Sequence, residues 1–145
     1  MHIRLLFATP DDATLALLGS LLQSAQQLTC PAVVAETAHT TEELLARTQA
    51  SQDDVVIVDW ALAEAGTPAL VSEILARNSK MRIVALLPMG MRQYRQQVWD
   101  AGACNSIPKE HMDQEWLASI LCVMYRAMQR EARLLASLQQ SVATA

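Results

Sequence analysis

Hydrophobic and polar residues follow two rhythms along the chain. Short apolar runs read as strands: IRLLFA at 3–8, PAVVAET at 31–37, DVVIVDW at 54–60, MRIVALLP at 81–88 and CNSIP at 104–108. The third run is apolar enough to be buried on both faces, as central parallel strands are. Between the runs, apolar residues return every three or four positions, the signature of one helix face. The first helical stripe is Thr14, Leu17, Leu18, Leu21 and Leu22, with Asp11 or Asp12 placed to cap it. A short helix follows at 40–50, capped by Thr40 or Thr41 with Glu43 set for a capping box. A third is expected at 67–80, with Thr67 as cap and Pro68 at its first position. A fourth at 91–103 ends near Gly102, and from about Asp113 to the end the chain reads as one helix.

Strands and helices therefore alternate five times. Parallel neighbours need crossovers, so this order predicts an α/β fold: a doubly wound, five-stranded parallel sheet of flavodoxin-like type with an extended C-terminal helix. In open sheets of this kind, function sits at the carboxyl ends of the strands. Those ends are Thr9-Pro10, Asp59, Leu87-Pro88 and Lys109. Asp59 closes an otherwise apolar strand, so it lies where the fold would place chemistry; as an ordinary residue it would only end the strand.

Composition narrows the classes. The 145 residues are 52% hydrophobic and 18% charged, which fits one globular domain with a proper core. A net charge of −4 without a basic cluster disfavours nucleic-acid binding, which needs a concentrated Lys/Arg face. No apolar run reaches membrane-spanning length, and the N-terminus lacks the regions of a signal peptide, so a cytoplasmic location is expected. Cys30, Cys104 and Cys122 lack metal-ligand spacing and read as reduced thiols. His2, His39 and His111 fall at a strand start and in loops and read as solvated. No metal site, and no Ser-His-Asp or Cys-His set, is formed, so the chain is expected not to be an enzyme. A flavin or nucleotide site would need a Gly- or Thr-rich phosphate loop after the first strand, whereas ATPDDAT brings two carboxylates and no glycine.

The element order, VVIVDW with its terminal aspartate, and AGACNSIPK with its lysine together resemble the receiver domain of bacterial two-component response regulators (CheY-like), over roughly residues 2–125. The resemblance implies that Asp59 holds the phosphoacceptor position and Lys109 the position that contacts phosphoryl oxygens. It also implies losses. Thr9 and Pro10 stand where the family has an acidic pair for its divalent cation. Leu87 stands where a Thr or Ser senses the phosphoryl group, and Ser106 where an aromatic reports the switch. Glu110 follows Lys109 in place of the usual proline. Phosphoryl transfer depends on positioning and charge neutralisation, chiefly by the metal, and one carboxylate is a weak magnesium site. The chain thus reads as a degenerate receiver, a pseudo-receiver without cofactor, in which Asp59 and Lys109 form a structural ion pair. The alternative is a phosphorylatable receiver with Asp59 as phosphoacceptor and an unusual magnesium site that recruits Asp11 and Asp12. Trp60 is expected at the rim of this site, and Trp99 in the core or a dimer contact.

The last helix runs on beyond a receiver's usual end. Residues 126–145 read as a coiled-coil-like linker after a domain at 1–125, because Leu121, Met128, Leu135 and Val142 recur every seven residues, with Met124, Glu131 and Leu138 between them. Such a stalk resembles the connectors by which receivers drive output domains such as diguanylate cyclases. The expected partners are a second copy in a parallel homodimer, other signalling proteins or a fused output domain; neither nucleic acid nor membrane is expected.

Overall fold

The computed structural model describes residues 2–28 and 32–144; Cys30 and Pro31 lie outside them. Five parallel strands, β1 (His2–Ala8), β2 (Ala32–Ala38), β3 (Val55–Asp59), β4 (Arg82–Leu87) and β5 (Asn105–Pro108), form one sheet in the order β2-β1-β3-β4-β5. Helices α1 (Asp12–Leu28), α2 (Thr41–Gln49), α3 (Thr67–Arg77), α4 (Arg92–Asp100) and α5 (Gln114–Thr144) connect and extend them. The doubly wound parallel sheet read from the alternating pattern is the observed fold, and strand order reverses between β1 and β3.

The pleat divides the core in two. Ile3, Leu5, Phe7, Val55, Ile57, Val84 and Leu86 point to one face and pack under α1 and α5. Leu6, Ala8, Val56, Val58, Ile83, Ala85 and Leu87 point to the other, against α2, α3 and α4. All five residues of β3 are buried, as its unbroken apolar run requires.

Local chemistry sets the helix starts. Asp11, the first of the two candidate caps for α1, accepts from the backbone N–H of Ala13 and Thr14. Thr40 caps α2 by accepting from Glu43 N–H, while the Glu43 carboxylate reaches back one residue beyond the cap to His39 N–H, a shifted form of the expected capping box.

Two expectations need correction here. Thr67 is the first residue of α3 rather than its cap, which is Gly66; the Thr67 hydroxyl donates to the Glu64 carbonyl instead, and the helix ends at Arg77, because Asn78 turns to an extended conformation. Leu17 is not on the buried stripe of α1. That stripe is Thr14, Leu18, Leu22 and Ala25, and Leu17 is exposed on its flank.

Gly102 closes α4 with φ of +115°, and a Cβ there would overlap the Leu75 side chain from α3. Gly102→Ala is therefore expected to cost about 1–3 kcal/mol, from left-handed strain and displaced packing. Urea unfolding at unchanged m-value checks it; no loss would mean that α3 yields freely.

At the amino ends of the strands, acids and arginines pair. Arg4 grips Asp54 through two guanidinium bonds and its own backbone N–H. Burial pushes the Asp54 carboxyl up, but these bonds from Arg4 prevail and hold it below the ordinary range. Asp53 is fully packed away beneath Arg47, which binds it with both Nε and Nη2.

Helix α5 is 31 residues long, about 46 Å. Its first half packs on the sheet beside α1, and here the heptad reading is overturned in part. Leu121 is 0% and Met124 6% exposed, both inside the domain's own core, and Met128 packs half-buried against the same cluster. They cannot form a dimer seam without leaving the sheet. Glu131 does not interrupt a seam either: its carboxylate forms an ion pair with Arg82 at the start of β4. The seven-residue spacing arises because the face that packs on the domain is the same face carried onward. Only Leu135, Leu138 and Val142, together with Leu134, stand exposed beyond it.

Candidate functional site at the carboxyl edge of the sheet

The register of the sheet builds the site. Ala8 pairs with Val58 and Asp59 with Leu86, while Leu87 pairs with Pro108. The next residues, Thr9 and Lys109, are thereby delivered to either side of Asp59 at the strand-order reversal, where sheets of this topology open a crevice.

Asp59 is 1% exposed and both its oxygens are engaged. Oδ2 accepts from the Thr9 hydroxyl at 2.8 Å and from Lys109 Nζ at 2.9 Å. Oδ1 accepts from Ala61 N–H at 3.1 Å, capping the 3-10 turn Trp60–Leu62. The ion pair expected between Asp59 and Lys109 is thus present. Thr9 is more than a missing acid: its hydroxyl also accepts from Asp11 N–H, tying the loop after β1 to the end of β3. Beside them, Asp11 Oδ2 lies 3.9 Å from Lys109 Nζ, so the ammonium stands between two carboxylates. The Asp11 carboxyl is held below its ordinary range, chiefly by the hydrogen bond from the Thr14 hydroxyl, with its capping bonds adding to this. Pro10 and Asp12 are exposed and touch neither Asp59 nor Lys109 through any hydrogen bond or ion pair.

These residues do not fit a divalent cation of the receiver type. Asp59, the buried carboxylate of the site, already accepts from a hydroxyl, an ammonium and a backbone N–H. Asp11 spends its oxygens on the helix cap, and Lys109 occupies the space between the two acids. A hard cation would have to displace the ammonium and face a single free carboxylate edge. Among the described residues no group of three or more His, Cys, Asp or Glu is placed to hold a metal.

The two positions of the family's switch are apolar or withdrawn. Leu87 is buried in the core shared with α2, α3 and α4, carrying no hydroxyl toward Asp59. Ser106 is half-buried and lines, with Leu87, Pro88, Arg92, Arg95 and His111, an open cavity of about 460 Å³ between α4 and β5. Trp60 sits at the rim and packs on Tyr94 of α4, ring centroids 4.4 Å apart. Trp99 is 61% exposed on α4, not in the core; its helix is polar on three sides, and Val98 is the residue that turns inward.

No protein-family model matches the chain, and no curated protein does either. Solved structures do match. A two-component response regulator from Clostridium difficile superposes with a TM-score of 0.73 at 16% identity, covering 88% of this chain and 98% of that one. The receiver domain of a sensor histidine kinase from Pseudomonas aeruginosa PAO1, with magnesium in its active-site cleft, gives 0.67 at 15% identity over 83% and 95%. NtrX from Brucella abortus gives 0.76 at 18% identity, covering 96% of this chain but 29% of that longer one. The chain has the fold of response-regulator receiver domains of the CheY-like type. Among the described residues no helix is long and apolar enough to cross a membrane.

Proposed function

We propose that this chain is a regulatory module of a two-component signalling system: an atypical receiver that acts through protein–protein contacts, without metal-dependent phosphorylation and without enzymatic activity of its own. The observation that carries the reading is that both oxygens of Asp59 are engaged by the chain's own donors. In a working phosphoacceptor one carboxylate oxygen must be free to attack phosphorus while a cation neutralises the incoming charge. Here the oxygens are held by Thr9, Lys109 and Ala61, and the only nearby cation is the lysine itself. The pair serves register, fastening the ends of β1, β3 and β5, a role better attested for buried ion pairs than net stabilisation.

Incubation with acetyl phosphate and magnesium, followed by intact-mass measurement, is expected to leave the mass unchanged. Magnesium titration is likewise expected to give no saturable change in tryptophan fluorescence in the low millimolar range. A second reading, a phosphorylatable receiver using Asp59, is favoured by the retention of Asp59 and Lys109 side by side. It replaces the first if one phosphoryl group is gained and the gain is lost in Asp59→Asn.

In this reading the output runs through α5. Its exposed end, Leu135, Leu138 and Val142, offers less than two heptads for a parallel homodimer, and a fused output domain such as a diguanylate cyclase would follow the same helix. The expected setting is the cytoplasm, where such phosphorelay modules work.

A further inference from the structure

The cavity between α4 and β5 has walls and charge that Asp59 does not use. It holds about 460 Å³, within the range of sites for small organic ligands. Leu87 and Pro88, where β4 ends, and Ile107 and Pro108 of β5 give it apolar walls. Neither Asp59 nor Lys109 lines it. Ser106 does, half-buried, and its hydroxyl has no hydrogen-bond partner among the described residues.

Arg92 and Arg95 line the same cavity from α4. They stand three residues apart, so they share one helix face, and both are exposed. Neither has an acidic partner among the described residues; Asp100, the one acid of α4, accepts from Gln96 instead. His111, in the 3-10 turn after β5, lines the cavity with them, and the neighbouring Glu110 does not. In a chain of net charge −4, this is a local concentration of positive charge that no internal acid answers.

Two guanidinium forks suit a phosphate, whose oxygens accept from both at once, whereas one fork is enough for a carboxylate. Apolar walls beside them suit a flat ring, and the Ser106 hydroxyl and His111 imidazole offer polar contacts to its edge. We propose that this cavity binds a purine nucleotide, its base between α4 and the ends of β4 and β5, its phosphate across Arg92 and Arg95. The loop after β1 is a different place, where Asp11 and Asp12 repel phosphate. Binding in the cavity needs no magnesium, because the arginines supply the neutralising charge. It is also independent of whether Asp59 accepts a phosphoryl group, since Asp59 takes no part in it.

The test is calorimetric titration of the full chain with AMP and with GMP, in the presence of EDTA. At least one of them is expected to bind at a single site with Kd in the micromolar range, roughly 10–100 μM. The matching nucleoside and inorganic phosphate are each expected to bind at least about tenfold more weakly, since each keeps only part of the contacts. Arg92→Gln/Arg95→Gln is expected to weaken the nucleotide at least about tenfold with the urea midpoint unchanged, both side chains being exposed and unpaired. Ser106→Tyr, which places a ring among the cavity walls, is expected to weaken the nucleotide and leave the weak binding of inorganic phosphate as it was. No binding of either nucleotide at millimolar concentration would overturn the proposal, as would indifference to the loss of both arginines. Inorganic phosphate binding as tightly as the nucleotide would reduce the site to a bare anion patch. A requirement for magnesium would move the phosphate to the carboxylates near Asp59, and would overturn it too.

Discussion

Lys109→Met is expected to destabilise the protein by about 2–4 kcal/mol. The substitution keeps the length and apolar stem of the lysine and removes only its ammonium. Asp59, 1% exposed, is then left with the Thr9 hydroxyl and Ala61 N–H, and no charge opposite it. Breaking a buried pair by removing one partner costs about 3–5 kcal/mol. Lys109 is 29% exposed, so water already screens part of the attraction, and the lower range follows. Adding Asp59→Asn to Lys109→Met should recover at least half of the loss, since the uncompensated charge disappears while the amide still accepts from Thr9 or Ala61. Urea unfolding of both single variants and the double variant closes the cycle. A loss below about 0.5 kcal/mol in Lys109→Met would class the pair with ordinary surface ion pairs and remove its register role.

Most of the fold was legible because each local signal agreed with the others. Apolar runs of strand length alternated with helical stripes, caps stood where the stripes began, and parallel crossovers leave few arrangements. The site was half legible. Asp59 and Lys109 were found because each ends or follows an unmistakable strand. What Thr9 does was not, because a residue read as a lost acid carries no visible sign that its hydroxyl will face Asp59; only the pairing of Ala8 with Val58 puts it there. Asp11 was read as a helix cap, and it is one, but its position beside Lys109 depends on the turn of the loop rather than on spacing. The α5 heptad misled for a physical reason. A helix that packs on a sheet and a helix that packs on its twin both need apolar residues three and four apart, so one periodicity serves both. Burial separates them. A signal was available at Glu131: an acid in an apolar register often marks a partner elsewhere, and Arg82, opening β4, is that partner.

That distinction yields the largest contrast expected of any two substitutions in one helix. Leu121→Ala removes a side chain that is 0% exposed beneath α5 and leaves a cavity against β1, β3 and α1; leucine-to-alanine changes in such settings cost about 2–5 kcal/mol. Leu138→Ala, at a residue 63% exposed and beyond the sheet, should change monomer stability by less than about 0.5 kcal/mol. Its effect is expected in assembly instead. Burying Leu135, Leu138 and Val142 against a second copy gains about 1.5–3 kcal/mol for each side chain fully covered, against an association cost of about 4–15 kcal/mol. The balance favours a weak dimer, in the upper micromolar range, rather than a permanent one. Sedimentation of the intact chain, of Leu138→Ala and of a version ending after Glu131 separates the terms. The intact chain should show concentration-dependent mass that Leu138→Ala weakens and the truncation abolishes, while all but Leu121→Ala unfold at the same urea concentration. If Leu138→Ala lowers monomer stability as Leu121→Ala does, the end of α5 folds back onto the domain, and if the intact chain stays monomeric at high micromolar concentration, the exposed leucines serve a partner other than a second copy.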